Sequence, residues 1–220
     1  MNEADGVFLL GPPLNLGLFD MLSPFLDYLE ESGPKRVVYL SAYGMELMKG
    51  LHFHQQMEDK LKDSSLDWTV LRPGFFMQNF GNYERENIEQ RKIIFSPAGE
   101  GKTAFVSAVD IGTAIAHMLT EKGHTGKTYK LLGDELLSYF DVANKLTSIL
   151  GETIVYPNPD DATYRKVLNE GGAPDFIANY MISVYALIRH NQVSDTSGDL
   201  REIIKRSPEK LEEVLLRDFK

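Results

Sequence analysis

The chain has 220 residues, 43% hydrophobic and 25% charged, enough for one large domain or for a domain with a small lobe. It contains no cysteine, which excludes disulfides and thiolate chemistry and suits a reducing, cytoplasmic location. A net charge of -9 without a basic cluster argues against a nucleic-acid groove, and no apolar run approaches the ~20 residues that span a bilayer. The start, Met1 to Asp5, has neither the basic nor the apolar region of a signal peptide and is read as carrying none.

Val7–Leu10 is a short apolar run stopped by Gly11, Pro12 and Pro13, and reads as a strand. Ser23 and Pro24 are expected as N-cap and first residue of a helix that buries Phe25, Leu26 and Leu29 and ends at Gly33. Val37–Leu40 is a second apolar run. A helix is expected over roughly Glu46 to Lys62, with Leu47, Leu51, His54, Glu58 and Leu61 on one stripe. Trp68–Leu71 is a third apolar run, without the polar alternation of a strand wet on one face. Asp110 is expected to cap a helix carrying Ile111, Ile115 and Leu119, and Lys127–Leu132 to form a further strand. Strands alternating with helices predict an α/β fold with a parallel sheet and helices on both faces.

Ser138 and Asp141 have capping-box spacing ahead of Phe140, Ala143, Leu146 and Leu150, with Gly151 as the stop. Ile154–Tyr156 reads as a short strand. Helical patterns follow over about Ala162–Glu170, Pro174–Asn191 and Pro208–Asp218, the middle one with a core-facing stripe from Phe176 to Ile188. The expected organisation is a sheet domain over residues 1–151 and a mostly helical lobe over 152–220.

The blocks VVYLSAYG, His54-x-x-x-Glu58, LDWTVLRPGFFMQNF, FVSAVDIGTAIAHML, GKTYKLLGDELLSYFDVANKL and RSPEKLEEVLLRDF resemble the NmrA-like family, atypical relatives of the short-chain dehydrogenases/reductases. The resemblance spans nearly the whole chain. It implies a Rossmann-like NAD(P)-binding domain with a small C-terminal substrate lobe, and NADP or NAD as cofactor. Some members reduce quinones, azo compounds or imines, and others sense the nucleotide without turnover. By the same resemblance Val7–Leu10 matches the family's fourth strand. The glycine-rich turn that lets backbone approach a pyrophosphate is not found, and the unmatched βαβαβ half amounts to on the order of 70 residues. An apolar central strand is then expected at an open edge, and pairing with a second copy through Val7–Leu10 is the first expectation. A fragment of a longer product and a rebuilt fold are the other two.

The resemblance also places the site. His54 and Glu58 stand where typical relatives carry a Tyr-x-x-x-Lys pair, and their i, i+4 spacing puts them on one helix face. An imidazole relays protons near neutral pH, so His54 is read as catalytic and cofactor-binding; a helix-docking His–Glu hydrogen bond is the structural alternative. Ser41 and Tyr43, at the end of the second strand, are read with His54 as catalytic, and Ser41 equally as a turn serine. The cofactor set is Leu10, Gly11, Pro12, Ser41, Ala42, His54, Pro73, Gly74, Phe75 and Phe76, and the substrate set Tyr43, Phe76 and Asn79. Phe75, Phe76 and Phe80 read equally as core filling. The pocket is expected among Ser41–Gly44, His54, Pro73–Asn79 and the C-terminal helices. No metal is expected, because His52 and His54, two apart on a helix, face different directions. Gly99–Thr103 has a superficial likeness to a phosphate loop, but Ser96 replaces the leading glycine and the sequence that follows is strand-like. The function implied is NAD(P)H-dependent reduction of a small quinone, azo, imine or conjugated carbonyl compound, the alternatives being a nucleotide-sensing or partner-binding regulator and an inactive, self-associating fragment.

Overall fold

The computed structural model describes residues 4–33, 36–48, 50 and 52–220. The strands are β1 (Gly6–Leu9), β2 (Arg36–Leu40), β3 (Asp67–Pro73), β4 (Thr103–Ala104), β5 (Lys127–Leu131) and β6 (Leu136–Leu137). The helices are α1 (Leu18–Ser32), α2 (Phe53–Asp63), α3 (Asn79–Asn82), α4 (Ala108–Thr120), α5 (Tyr139–Leu150), α6 (Asp161–Glu170), α7 (Asp175–Arg189), α8 (Asp199–Ile204) and α9 (Leu211–Phe219). The chain divides into two compact units.

The first unit holds the chain up to Gly74 together with Val109–Leu131 and Gly198–Ser207. Its centre is a four-stranded sheet in the order β1-β2-β3-β5, parallel throughout. The α/β reading of the sequence therefore holds. Val37, Tyr39 and Val70 point to one face, where they pack with Leu26 and Leu29 of α1 and Met57 and Leu61 of α2. Val38 and Leu71 alternate to the other face and are equally sealed from solvent. On the side of α4, a Cβ on Gly6 would meet Leu119, and the Arg36 guanidinium donates to the Leu119 carbonyl at 2.6 Å. Two covered faces explain why β2 and β3 read as unbroken apolar runs.

Three expectations need correction here. α1 begins at Leu18, so Pro24 lies inside it and Ser23 is no cap. The stripe Leu18, Leu22, Phe25, Leu26 and Leu29 runs on through the proline, and each fully buried Leu contributes about 1.5–3 kcal/mol against the ~3 kcal/mol of an internal proline. The single helix expected from Glu46 splits into a 3-10 turn (Met45–Leu47) and α2. Gly50, at φ 78°, takes a left-handed conformation that no α-helix continues through. Leu47 is consequently exposed, and Leu51 lies outside the described residues, as do Met1, Asn2 and Glu3. Asp110 falls in the first turn of α4 rather than at its cap.

The second unit holds Phe75–Ala108, Leu132–Ser197 and Pro208–Lys220. β4 and β6 form an antiparallel pair. The capping box of α5 forms as its spacing predicts, with Ser138 and Asp141 bonding each other's backbone N–H. Ile154–Tyr156 makes only a single bridge, Val155 to Ile93, and is too short for a ladder. α8, in the first unit, has three buried residues, Leu200, Ile203 and Ile204, too few to show a helical period in sequence.

Two glycines test the packing with opposite signs. A Cβ on Gly101 would lie 1.8 Å from the Ile188 carbonyl oxygen, whereas one on the exposed helical Gly112 meets nothing within 4 Å. Gly101→Ala is expected to destabilise by about 2–4 kcal/mol. Gly112→Ala is expected to stabilise by about 0.5–1 kcal/mol. Urea denaturation of the two variants measures both.

Candidate functional site

In an open parallel sheet, ligands gather beyond the carboxyl ends of the strands. Leu10, Gly11 and Pro12 follow β1; Ser41, Ala42 and Tyr43 follow β2; Pro73 closes β3 and Gly74 follows it. All eight belong to the first unit, as does His54, in the first turn of α2. Leu10 is 59% exposed and outside the strand, because the apolar run outlasts the ladder by one residue. Gly11 packs closely on α1, since a Cβ there would sit 2.0 Å from the tip of the Leu18 side chain, which would have to turn aside. The loop after β2 is pinned to β3: Ser41 N–H donates to the Leu71 carbonyl (2.8 Å) and Tyr43 N–H to that of Pro73 (2.9 Å). Lys130 Nζ lies 5.2 Å from the centre of the Tyr43 ring.

Beneath this rim sits a buried polar cluster. Tyr39 pairs with Val70 and Leu40 with Leu71, which brings Ser41 and Arg72 side by side facing α2. Glu58, 2% exposed, descends from α2 onto them. Arg72 grips it with two bonds, Nε to Oε1 at 2.9 Å and Nη2 to Oε2 at 2.6 Å, and the Ser41 hydroxyl donates to Oε1 at 2.7 Å. Lys62 Nζ approaches at 3.5 Å, and Glu46 lies 3.8 Å from the far side of Arg72. One turn earlier on α2, His54 Nδ1 lies 2.6 Å from the Tyr39 hydroxyl.

The charges follow from this packing. Burial pushes the Glu58 carboxyl up, but hydrogen bonds from Arg72 and Ser41 and the charges of Arg72 and Lys62 outweigh it and hold the group below its ordinary range. Burial lowers His54 from 6.5 to about 4, against a smaller opposing pull from the Glu58 charge. Burial, aided by Glu58, pushes the Tyr39 phenol up. At neutral pH the cluster is therefore an ion pair beside a neutral imidazole. His54 Nε2 has no partner among the described residues. The Ser41 proton is already engaged by Glu58, so its hydroxyl offers only lone pairs.

Phe75, Phe76 and Asn79 lie in the second unit. Phe76 bridges to Val106, and Asn79 opens α3. Phe75 stacks on Tyr185 with ring centres 6.2 Å apart. The Tyr185 hydroxyl lies 3.1 Å from Ser96 Oγ, which donates to Glu84 at 2.9 Å. Phe80 is core, 2% exposed against Phe105 and Tyr139.

The Gly99–Thr103 turn is structural. Its Gly99 and Lys102 N–H groups donate to the Asn158 and Asn191 side chains at 3.0 and 3.1 Å, and Gly101 abuts Ile188. Backbone amides spent this way hold no phosphate. The residues present fit the nicotinamide-ribose end of a dinucleotide: small residues at the strand ends and a neutral imidazole with a ring nitrogen unpartnered among the described residues. Among the described residues, none forms a glycine-rich cradle for a pyrophosphate.

Sequence reasoning passed over Tyr39, Arg72 and Tyr185. Arg72 did carry a signal, because a cation inside an apolar strand requires a buried anion.

The sequence profile of the NmrA-like family matches residues 37–215. The chain belongs to the NmrA-like family. Festuclavine synthase I of Penicillium roqueforti is 33% identical over 94% of this chain and 72% of its own length. The fold is similar to that of the NADPH-dependent quinone oxidoreductase of Escherichia coli solved with NADPH, with TM-score 0.90, 24% identity, and coverage of 100% of this chain and 78% of the other. It is also similar to the triphenylmethane reductase of Citrobacter sp. solved with NADP(H), with TM-score 0.87, 22% identity, and coverage of 99% and 77%. The NmrA-like chain thus shares its fold with these two proteins.

The ion pair and the neutral histidine make stability pH-dependent. His54 and Glu58 both have depressed folded-state pKa values, so their contribution is present above the unfolded values of 6.5 and 4.5 and is lost as pH falls. The urea midpoint is expected to drop between pH 6.5 and about 4, and His54→Gln to flatten that drop. Arg72→Met removes the two-bond partner of a buried carboxylate, leaves it only Ser41 and the more exposed Lys62, and is expected to cost about 3 kcal/mol at pH 7, by the same measurement.

Proposed function

We propose that this chain binds NADP or NAD and acts as a reductase of a small quinone, azo, imine or conjugated carbonyl compound. The observation that carries the reading is the neutral His54 imidazole, with Nε2 unengaged among the described residues, close to strand ends in a sheet of this topology. Its relationship to festuclavine synthase I and the fold it shares with two NADP(H)-bound reductases support it. The nicotinamide, when bound, supplies the hydride. The protein's part is to hold and orient. Leu10, Gly11, Pro12, Ala42, Pro73 and Gly74 form the shelf for the nicotinamide ribose, His54 bonds the acceptor, and Tyr43 meets the substrate. Ser41 enters as a positioning residue, because its proton is committed to Glu58. By the family resemblance alone, Phe75, Phe76 and Asn79 are assigned flat and polar contacts, and the substrate lobe lies in residues 152–220. The absence of cysteine suits a cytoplasmic setting.

A second reading, a nucleotide sensor without turnover, is favoured by Glu58. It stands where typical relatives carry a lysine, and Arg72 neutralises it. Calorimetric titration with NADPH and NADP, followed by turnover assays with a quinone and an azo dye, separates the two. Saturable binding, with turnover that falls about 100-fold in His54→Ala, is expected for the reductase. Binding without turnover identifies the sensor, and absence of binding removes both.

We further propose that the chain pairs with a second copy through β1. The two sheet edges differ. β5 carries Lys127 and Lys130, and Asp199 of α8's first turn accepts a bond from the Lys130 N–H at 2.8 Å. β1, with the sequence GVFL, carries no charge, and Val7 and Phe8 are half-buried. α1 turns Asp27 and Glu30 towards Lys60 and Ser65 on the α2 side. Its opposite side presents Met21 and Tyr28, 53% and 44% exposed, with Phe25 stacked on Tyr28. Antiparallel pairing of β1 with its copy across a two-fold axis extends the sheet and brings the Met21 and Tyr28 sides of the two helices together. Light scattering is expected to report a dimer that Met21→Lys with Tyr28→Lys converts to monomer; a monomeric native chain refutes the pairing.

A further inference from the structure

The Tyr39 hydroxyl has no role in the chemistry above, although among the described residues it is the one hydrogen-bonding partner of a His54 ring nitrogen. Tyr39 is fully buried, and its hydroxyl has no other partner among the described residues. A buried hydroxyl with one neighbour gives its proton to that neighbour, since the reverse arrangement leaves the phenol proton without an acceptor. Nδ1 is therefore the acceptor, and a neutral imidazole that accepts at Nδ1 carries its own proton on Nε2. The competing partner would be Glu58, one helical turn away, but its oxygens are engaged by Arg72 from β3, Ser41 from the β2 loop and Lys62 from α2. Glu46, the remaining charged group of the cluster, faces Arg72.

We propose that Tyr39 is a positioning residue that locks His54 in the Nε2–H tautomer, so that His54 serves its ligand as a neutral hydrogen-bond donor. The role rests on the reductase reading, whereas the tautomer does not. Burial, which disfavours charge on either ring, supports the neutral pair. The assignment also selects a ligand class. A neutral N–H donor suits an acceptor with a lone pair, such as a quinone or carbonyl oxygen or an azo nitrogen. It gives no bond to an iminium cation, whose nitrogen has no lone pair.

The test is nitrogen-15 NMR of the histidine rings in the full chain without nucleotide or substrate, with the His54 signals assigned by their loss in His54→Gln. The native chain is expected to show a protonated Nε2 and an unprotonated Nδ1 at pH 7. Tyr39→Phe keeps the ring packing and is expected to mix the tautomers and raise the His54 titration midpoint by roughly one pH unit, the worth of one neutral hydrogen bond. A native Nδ1–H signal, or a Tyr39→Phe spectrum unchanged from native, overturns the proposal. If turnover is found, Tyr39→Phe is expected to lower kcat about tenfold with KM unchanged. An iminium substrate preferred over a quinone overturns the ligand class. The expected tautomer without any turnover leaves the NMR assignment standing and refutes the reductase reading alone.

Discussion

The buried pair between Glu58 and Arg72 holds the site together. A carboxylate almost sealed from solvent is tolerable only when its charge is matched and its oxygens are bonded. Arg72 and Ser41 meet both demands, and in doing so they tie α2 to the ends of β2 and β3. That tie fixes the rotation of α2, and the rotation in turn sets His54 one turn earlier against Tyr39. A shift of α2 by one residue would turn both polar groups away from their partners.

The same pair separates the roles of residues with similar credentials. Ser41 and His54 both carry groups able to serve a reaction near a strand end. Ser41 spends its proton on the ion pair, whereas His54 is kept neutral by burial and has a ring nitrogen without a partner among the described residues. The serine is thus bound into the ion pair, and the imidazole beside it carries no charge at neutral pH. The charge that answers Glu58 comes from β3, the neighbouring strand of the sheet.

How much could be read in the chain depended on the range of the interaction. β2 and β3 were legible because strands covered on two faces must be apolar throughout, and the capping box of α5 because both partners lie within four residues. The i, i+4 pair of His54 and Glu58 was legible as a shared helix face for the same reason. The start of α1 was misjudged, because a proline signal is local and the burial of Leu18 is not. The break after Leu47 turned on the backbone conformation of Gly50, which one glycine letter does not specify.

The sequence by itself determined the alternation of strands and helices, the family, and the polar residues that gather at the strand ends. Periodicity, turn chemistry and motif order are properties of neighbouring residues, so they survive in one dimension. The tertiary structure decided that Arg72 answers Glu58 and that Tyr39 answers His54. Those outcomes depend on strand register and on desolvation, which arise only when segments distant in the chain exclude water from one another.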